Sequence, residues 1–286
     1  MQQPARHFEL SGHRGARGLW PENTLAGFAG ALALGVDAIE LDVTLSHDGK
    51  IVVSHDLALN PDLTRGPDGV WLVAPTPVIH RVSAAELRRF DVGRARPGSA
   101  VALAHPCQRP ADGERIPLLS EVFACVAKNA VILDVELKTD FWDWRSVDPT
   151  VLADAVLVEA DRAGMLGRLA LRSFDWRGLR HARRRFSTLP LAYLTDAADA
   201  AALAMVRREA GGAKATWAPR YSGLRLDLVA EAHGCGLSVK PWTVNDPADM
   251  ARLIAWNVDG FCTDRPDLAR GVMAQADLRL PAAFVA

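Results

Sequence analysis

The feature that most constrains this chain is a rhythm, in which short apolar runs alternate with amphipathic helical stretches almost from end to end. Strands are expected at residues 7–12, 37–45, 130–137, 168–173, 188–194, 214–217, 237–242 and 258–262. A ninth short run, 51–54, pairs back on the second strand through the turn His47-Asp48-Gly49-Lys50. Helix starts are marked by Pro21-Glu22-Asn23-Thr24, Asp148-Pro149, Asp246-Pro247 and Pro266, and Gly35 stops the first helix. Seven of the eight long-range strands are followed closely by a helix, with helices expected at 24–34, 120–128, 149–163, 176–185, 196–209 and 224–233 among others. Strands joined through helices must lie parallel. Eight such units predict an α/β fold closed as a (β/α)8 TIM barrel, in preference to an open doubly wound sheet, and no GxGxxG follows any strand.

One stretch breaks the rhythm. Residues 58–115 are rich in proline, glycine and arginine, contain one helical fragment at 84–90, and are too long for an ordinary strand-to-helix loop. Trp71, Phe90 and Val101 give the stretch enough apolar content to pack as a small cap after the second strand, directly behind His55-Asp56; a disordered loop is the alternative. The 286 residues therefore read as one domain, 1–286, carrying a small insertion.

Lysine and arginine number 33 against 34 aspartates and glutamates, a net charge of −1, so no global field draws the chain to nucleic acid. Affinity for a phosphate must come from a local site. The four cysteines form no CxxC, and His105 and Cys107 around Pro106 lack a second pair; they read as reduced thiols. The first residues lack the apolar stretch of a signal peptide, and no segment approaches the roughly 18 apolar residues that span a bilayer. A cytoplasmic protein without stable membrane insertion is expected.

Two strands carry polar residues where a barrel wants apolar ones. In Ile39-Glu40-Leu41-Asp42-Val43 the carboxylates share one face, and in Leu133-Asp134-Val135-Glu136-Leu137-Lys138 the polar side chains again share the inner face. Unpaired carboxylates there would cost several kcal/mol or force large pKa shifts. A buried salt bridge from Lys138 to Glu136 or Asp42 is one remedy, and a bound cation is the other. Both strands together favour the cation, and the oxygens of Glu40, Asp42 and Glu136 suit Mg²⁺ or Ca²⁺.

His13 and His55 follow strands at the barrel end where loops carry chemistry, and form a candidate acid–base pair. Arg14 and Lys138 add fixed positive charge suited to a phosphate. Further inward positions are Lys240 with Trp242 and Arg172 with Phe174, the rings either packing the barrel top or lining a pocket.

His13-Arg14-Gly15, Pro21-Glu22-Asn23-Thr24, Glu40-Leu41-Asp42-Val43, Asp48-Gly49 and His55-Asp56 together resemble the signature of glycerophosphodiester phosphodiesterases. Glu136-Leu137-Lys138, Ser173-Phe174, Trp242-Thr243-Val244-Asn245, Asp259-Gly260 and Thr263-Asp264-Arg265-Pro266 continue the likeness over nearly the whole chain. The resemblance implies a TIM barrel with an insertion after the second strand, Glu40, Asp42 and Glu136 as divalent-metal ligands, and His13 and His55 as general acid and base. It also implies that Arg14 and Lys138 contact the phosphate. Glu22 and Asn23 fall at the edge of the site: Glu22 contacts the metal or orients a ligand, and Asn23 binds substrate or caps the helix. Lys240 and Glu22 are expected just behind the ligand-contacting groups.

The implied reaction is hydrolysis of a small-molecule phosphodiester to sn-glycerol 3-phosphate and an alcohol, with attack by water or by the neighbouring glycerol hydroxyl. Three rivals remain: a lysophospholipase D-type enzyme acting on lipid head groups, a decayed phosphate-binding protein, and a retaining glycosidase, which would need neither Arg14 and Lys138 nor paired histidines. The lipid reading ranks below the first because the apolar residues of the insertion are scattered. Asp140-Phe141-Trp142-Asp143-Trp144 is unexpectedly aromatic and is expected to shape the alcohol pocket.

Overall fold

The computed structural model describes residues 8–284; His7, the first residue of the first expected strand, lies outside them. The strands are β1 (Glu9–Gly12), β2 (Ala38–Leu45), β3 (Ile51–Val53), β4 (Ile132–Leu137), β5 (Leu169–Ser173), β6 (Leu191–Thr195), β7 (Ala215–Pro219), β8 (Leu237–Val239) and β9 (Gly260–Thr263). All except β3 are parallel and run β8-β7-β6-β5-β4-β2-β1-β9, with β3 antiparallel to β2. The seam between β8 and β9 is bridged by Asp259 N–H to the Val239 carbonyl (2.9 Å) and Cys262 N–H to the Pro241 carbonyl (3.0 Å). The result is a nearly closed TIM barrel with helices outside.

The two-residue period decides what each strand buries. Ile39, Leu41 and Val43 of β2 and Leu133, Val135 and Leu137 of β4 join Phe28, Leu32, Val122 and Val156 in the core between barrel and helices. Each such side chain contributes roughly 1.5–3 kcal/mol by leaving water. The alternate residues point inward, and the parallel register sets Glu40 beside Asp134 and Asp42 beside Glu136. The sequence pattern thus delivers the acidic pairs to neighbouring rungs.

Boundaries differ from expectation where a specific residue intervenes. The helix expected from 196 begins at Ala200, because the Asp199 carboxylate caps it by accepting from Ala202 N–H. The strand expected to reach 242 ends at Val239, two residues before Pro241, which has no N–H for a ladder.

The segment between β3 and β4 is structured. Helix Ala84–Leu87 opens on a capping box formed by Ser83 and Glu86, and a second helix, Ala100–Ala104, is capped by Ser99. Leu59, Ile79, Ala84, Leu87 and Ile116 form a separate cluster with Val52, flanked by Phe90 and Val92. Trp71 lies instead under the Arg65 guanidinium, 5.6 Å from the ring centre. The far part of the segment docks beside the barrel mouth: Gln108 Nε2 donates to the Arg17 carbonyl (2.9 Å) and Arg109 N–H to that of Leu19 (2.8 Å). Among the described residues, no helix is long and apolar enough to cross a membrane.

Candidate active site

The turn after β1 is built by close packing. A side chain at Gly12 would place its Cβ 2.0 Å from the Gly15 carbonyl oxygen, and one at Gly15 would meet the Gly27 backbone at 2.9 Å. Gly15 also has φ +92°, whereas Arg14 (φ 49°) and Asn23 (φ 55°) hold left-handed conformations with full side chains. Such backbone costs about 1–2 kcal/mol for a residue like arginine, and it persists here because the Arg14 N–H donates to Glu40 Oε2 (2.9 Å) and the Asn23 N–H to the Arg14 carbonyl (3.1 Å). The fold therefore spends stability to aim this turn at Glu40.

Glu40, Asp42 and Glu136 are buried and bring carboxylate oxygens within 4.8 Å of one another. The ion-pair remedy foreseen for the inner carboxylates is present here. Lys138 Nζ lies 2.6 Å from Glu136 Oε1 and 3.7 Å from Asp42 Oδ1, and Arg14 Nε is 3.3 Å from Asp42 Oδ2. Burial alone would raise the Asp42 pKa, but Arg14 and Lys138 overcome it and hold the carboxyl well below its usual range. Among the described residues, no lysine or arginine side chain forms an ion pair with Glu40; besides the Arg14 backbone N–H, His13 Nε2 lies 3.9 Å from Glu40 Oε2. Burial and the adjacent Asp42 charge push the Glu40 pKa well up. Three hard oxygen donors, one of them without a fixed cation, fit Mg²⁺ or Ca²⁺.

The two histidines are each held by a carboxylate, in different surroundings. His13 Nδ1 is 2.6 Å from Asp264 Oδ1, and its side chain is 13% exposed. Asn245 Nδ2 donates to Asp264 Oδ2 (2.7 Å), while Asn245 Oδ1 accepts the Asp264 N–H (2.9 Å). Burial lowers the His13 pKa, with the Asp264 carboxylate opposing. His55 Nδ1 lies 2.8 Å from Asp56 Oδ1, which sits on a segment also tied by Asn60 Nδ2 to Asp56 Oδ2 (2.7 Å). Its side chain is 34% exposed and lines a groove of about 780 Å³ together with Glu136, Lys138, Phe141 and Phe174.

Other expected residues fall in different places. Glu22 pairs with Arg14 Nη1 (2.6 Å) and Arg17 Nε (2.5 Å), so it orients the Arg14 guanidinium and lies outside the carboxylate triad. Asn23 donates to Asp42 Oδ2 (2.9 Å), and Thr24 takes the capping role by accepting from Gly27 N–H (3.0 Å). Phe174 fronts the groove; Trp242 supports it edge-on (5.4 Å between ring centres), with its indole N–H bonded to the Ala218 carbonyl (2.9 Å). Lys240 requires a correction. Its Nζ pairs with Glu9 Oε2 (2.7 Å) at the start of β1, so it lies at the opposite end of the barrel, where the strand tilt brings the end of β8 level with the start of β1.

Residue-type reasoning passed over Asp56, Asp264, Asn245 and Arg17. Asp56 adjoins a chosen histidine. Asp264 and Asn245 follow β9 and β8, and a closed barrel must bring those strand ends back beside β1, a signal the strand count already contained.

Comparison with known proteins gives the family and the fold. The glycerophosphoryl diester phosphodiesterase family model matches residues 13–268. A glycerophosphodiester phosphodiesterase of Caldanaerobacter subterraneus subsp. tengcongensis is 29% identical over 256 residues, covering 89% of this chain and 93% of its own. A solved Silicibacter pomeroyi protein, named as a candidate glycerophosphoryl diester phosphodiesterase, superposes with a TM-score of 0.88 at 34% identity over 96% of each chain. An Oleispira antarctica phosphodiesterase, solved in complex with the product sn-glycerol-3-phosphate, shares the fold with a TM-score of 0.73 at 23% identity, over 94% of this chain and 97% of its own. The barrel, the acidic triad at its C-terminal mouth and the near full-length match together establish that this chain belongs to the glycerophosphoryl diester phosphodiesterase family.

Proposed function

We propose that the protein hydrolyses glycerophosphodiesters to sn-glycerol 3-phosphate and an alcohol at this mouth. The observation that carries the reading is the joining of a buried oxygen-donor triad to two histidines, each held by its own carboxylate. The sn-glycerol-3-phosphate bound by the Oleispira relative supports it. Glu40, Asp42 and Glu136 would hold a Mg²⁺ or Ca²⁺ ion, whose chemistry is to neutralise charge on the phosphoryl oxygens.

Arg14 and Lys138 supply fixed positive charge toward the same phosphate. Asp264 accepts the Nδ1–H of neutral His13, which leaves the Nε2 lone pair free to remove a proton. The nucleophile is the neighbouring glycerol hydroxyl, as the family resemblance implies. Its oxygen bonds to phosphorus while the bond to the alcohol breaks, and His55, facing the groove, protonates the departing alkoxide. Water then opens the cyclic phosphate with the two histidines exchanging roles. The four cysteines are unpaired, in keeping with a reducing, cytoplasmic setting.

The test is a panel of purified glycerophosphodiesters, assayed with chelator and again with each metal restored. Release of glycerol 3-phosphate that stops on chelation and returns with Mg²⁺ or Ca²⁺ is expected. Absence of turnover on every member, with binding retained, would favour the decayed-site reading.

A further inference from the structure

The loop after β4 carries Phe141, Trp142 and Trp144. Among the described residues, the large apolar side chains exposed elsewhere are scattered aliphatic ones; the exposed aromatics are Phe141 (64%), Trp142 (88%), Trp144 (64%) and Phe174 (41%). All four belong to, or directly flank, the segments that line the groove. The expectation that apolar residues are too scattered for a lipid surface was drawn from the insertion, and the cluster lies on a different loop.

This loop is held in place. Asp140 N–H donates to Ser146 Oγ (2.9 Å), and His80 Nδ1 donates to the Arg145 carbonyl (2.9 Å). Arg81 lies over the Trp144 ring (4.7 Å) and Arg177 over that of Phe141 (4.8 Å). Trp142 touches Phe141 edge-on (4.7 Å between ring centres) and otherwise faces solvent. A rim of fixed aromatic rings this exposed is a binding surface in want of an occupant.

We infer that this rim docks the barrel mouth on a phospholipid surface, with Trp142 and Trp144 entering the head-group layer. Two observations select that occupant. The rim is continuous with the groove, so a protein seated there would obstruct the reaction site, whereas a fluid sheet of single lipid molecules leaves it supplied. The side chains are also those of a wet–apolar boundary: exposed indoles beside Arg81, whose guanidinium suits a lipid phosphate, while Arg145 and Arg177 are paired with Asp143 and Asp175. Arg81 makes no ion pair among the described residues.

The inference rests on the groove being the diester site, but its test does not depend on turnover. Intact protein is sedimented with vesicles of phosphatidylcholine alone and of equimolar phosphatidylcholine and phosphatidylglycerol. The wild type should bind, more tightly to the mixed vesicles, and Trp142→Ser should weaken binding roughly tenfold, with Trp142→Ser/Trp144→Ser weaker still. Both variants should keep the wild-type circular dichroism and stay in the supernatant, like the wild type, when no vesicles are present. Failure of the wild type to sediment with either vesicle, or equal binding by the double variant, would overturn the inference. Loss of glycerophosphocholine turnover in the wild type would instead count against the proposed reaction and leave the vesicle result standing.

Discussion

The two histidine sites solve one problem in opposite settings. His13 is enclosed where β1, β8 and β9 meet, and its carboxylate partner Asp264 is itself held twice by Asn245. His55 stands where the β2–β3 hairpin gives way to the insertion, and its partner Asp56 is half exposed. A buried hydrogen bond has no solvent to replace it, whereas water can substitute for an exposed one. The difference suits the two imidazoles to the different tasks proposed for them: one enclosed beside a doubly held carboxylate, the other open to the groove.

The largest effect should come from removing either ring. His13→Ala or His55→Ala should lower kcat by roughly 10²–10⁴ with the fold intact by circular dichroism. Near-normal turnover in either folded variant would remove that residue from the mechanism.

Next in size are the carboxylates. Asp264→Asn should cost about 10²-fold or more in kcat, because an amide no longer selects the His13 tautomer with Nδ1 protonated. The sign of its pH effect follows from the charge. Asp264 favours imidazolium and so raises the His13 pKa against burial; without it that pKa falls further, and the acid limb of kcat/KM moves to lower pH. Asp56→Asn, at the exposed site, should cost less than about tenfold. Equal losses in the two variants would erase the distinction between the sites.

The smallest catalytic effect belongs to Lys240→Met. It removes the ion pair with Glu9 at the far end of the barrel, so thermal unfolding should register a loss of about 1–2 kcal/mol while kcat changes less than twofold. A large fall in kcat would restore Lys240 to the reaction site.

Much of this was legible in the chain because strand periodicity is a strict rule. Ile39, Leu41 and Val43 had to be buried outward, so Glu40 and Asp42 had to face in, and Glu136 followed by the same reasoning on β4. Lys240 obeyed that rule of faces but not that of height, since strand tilt carries the end of β8 to the level of Glu9. Pairings between distant loops, such as Asn245 with Asp264, are fixed by barrel closure and have no local signature. The aromatic rim shows the reverse case: its composition was plain in the sequence, but its exposure could be read only from the packed loop.

The central claim is that Glu40, Asp42 and Glu136 form a divalent-cation site between the unequal histidines. Calorimetric titration of Mg²⁺ and Ca²⁺ into the wild type and Glu40→Gln tests it most directly. One binding event per chain, abolished in the variant, is the predicted result; no binding to the wild type, or the same binding to both proteins, would contradict it.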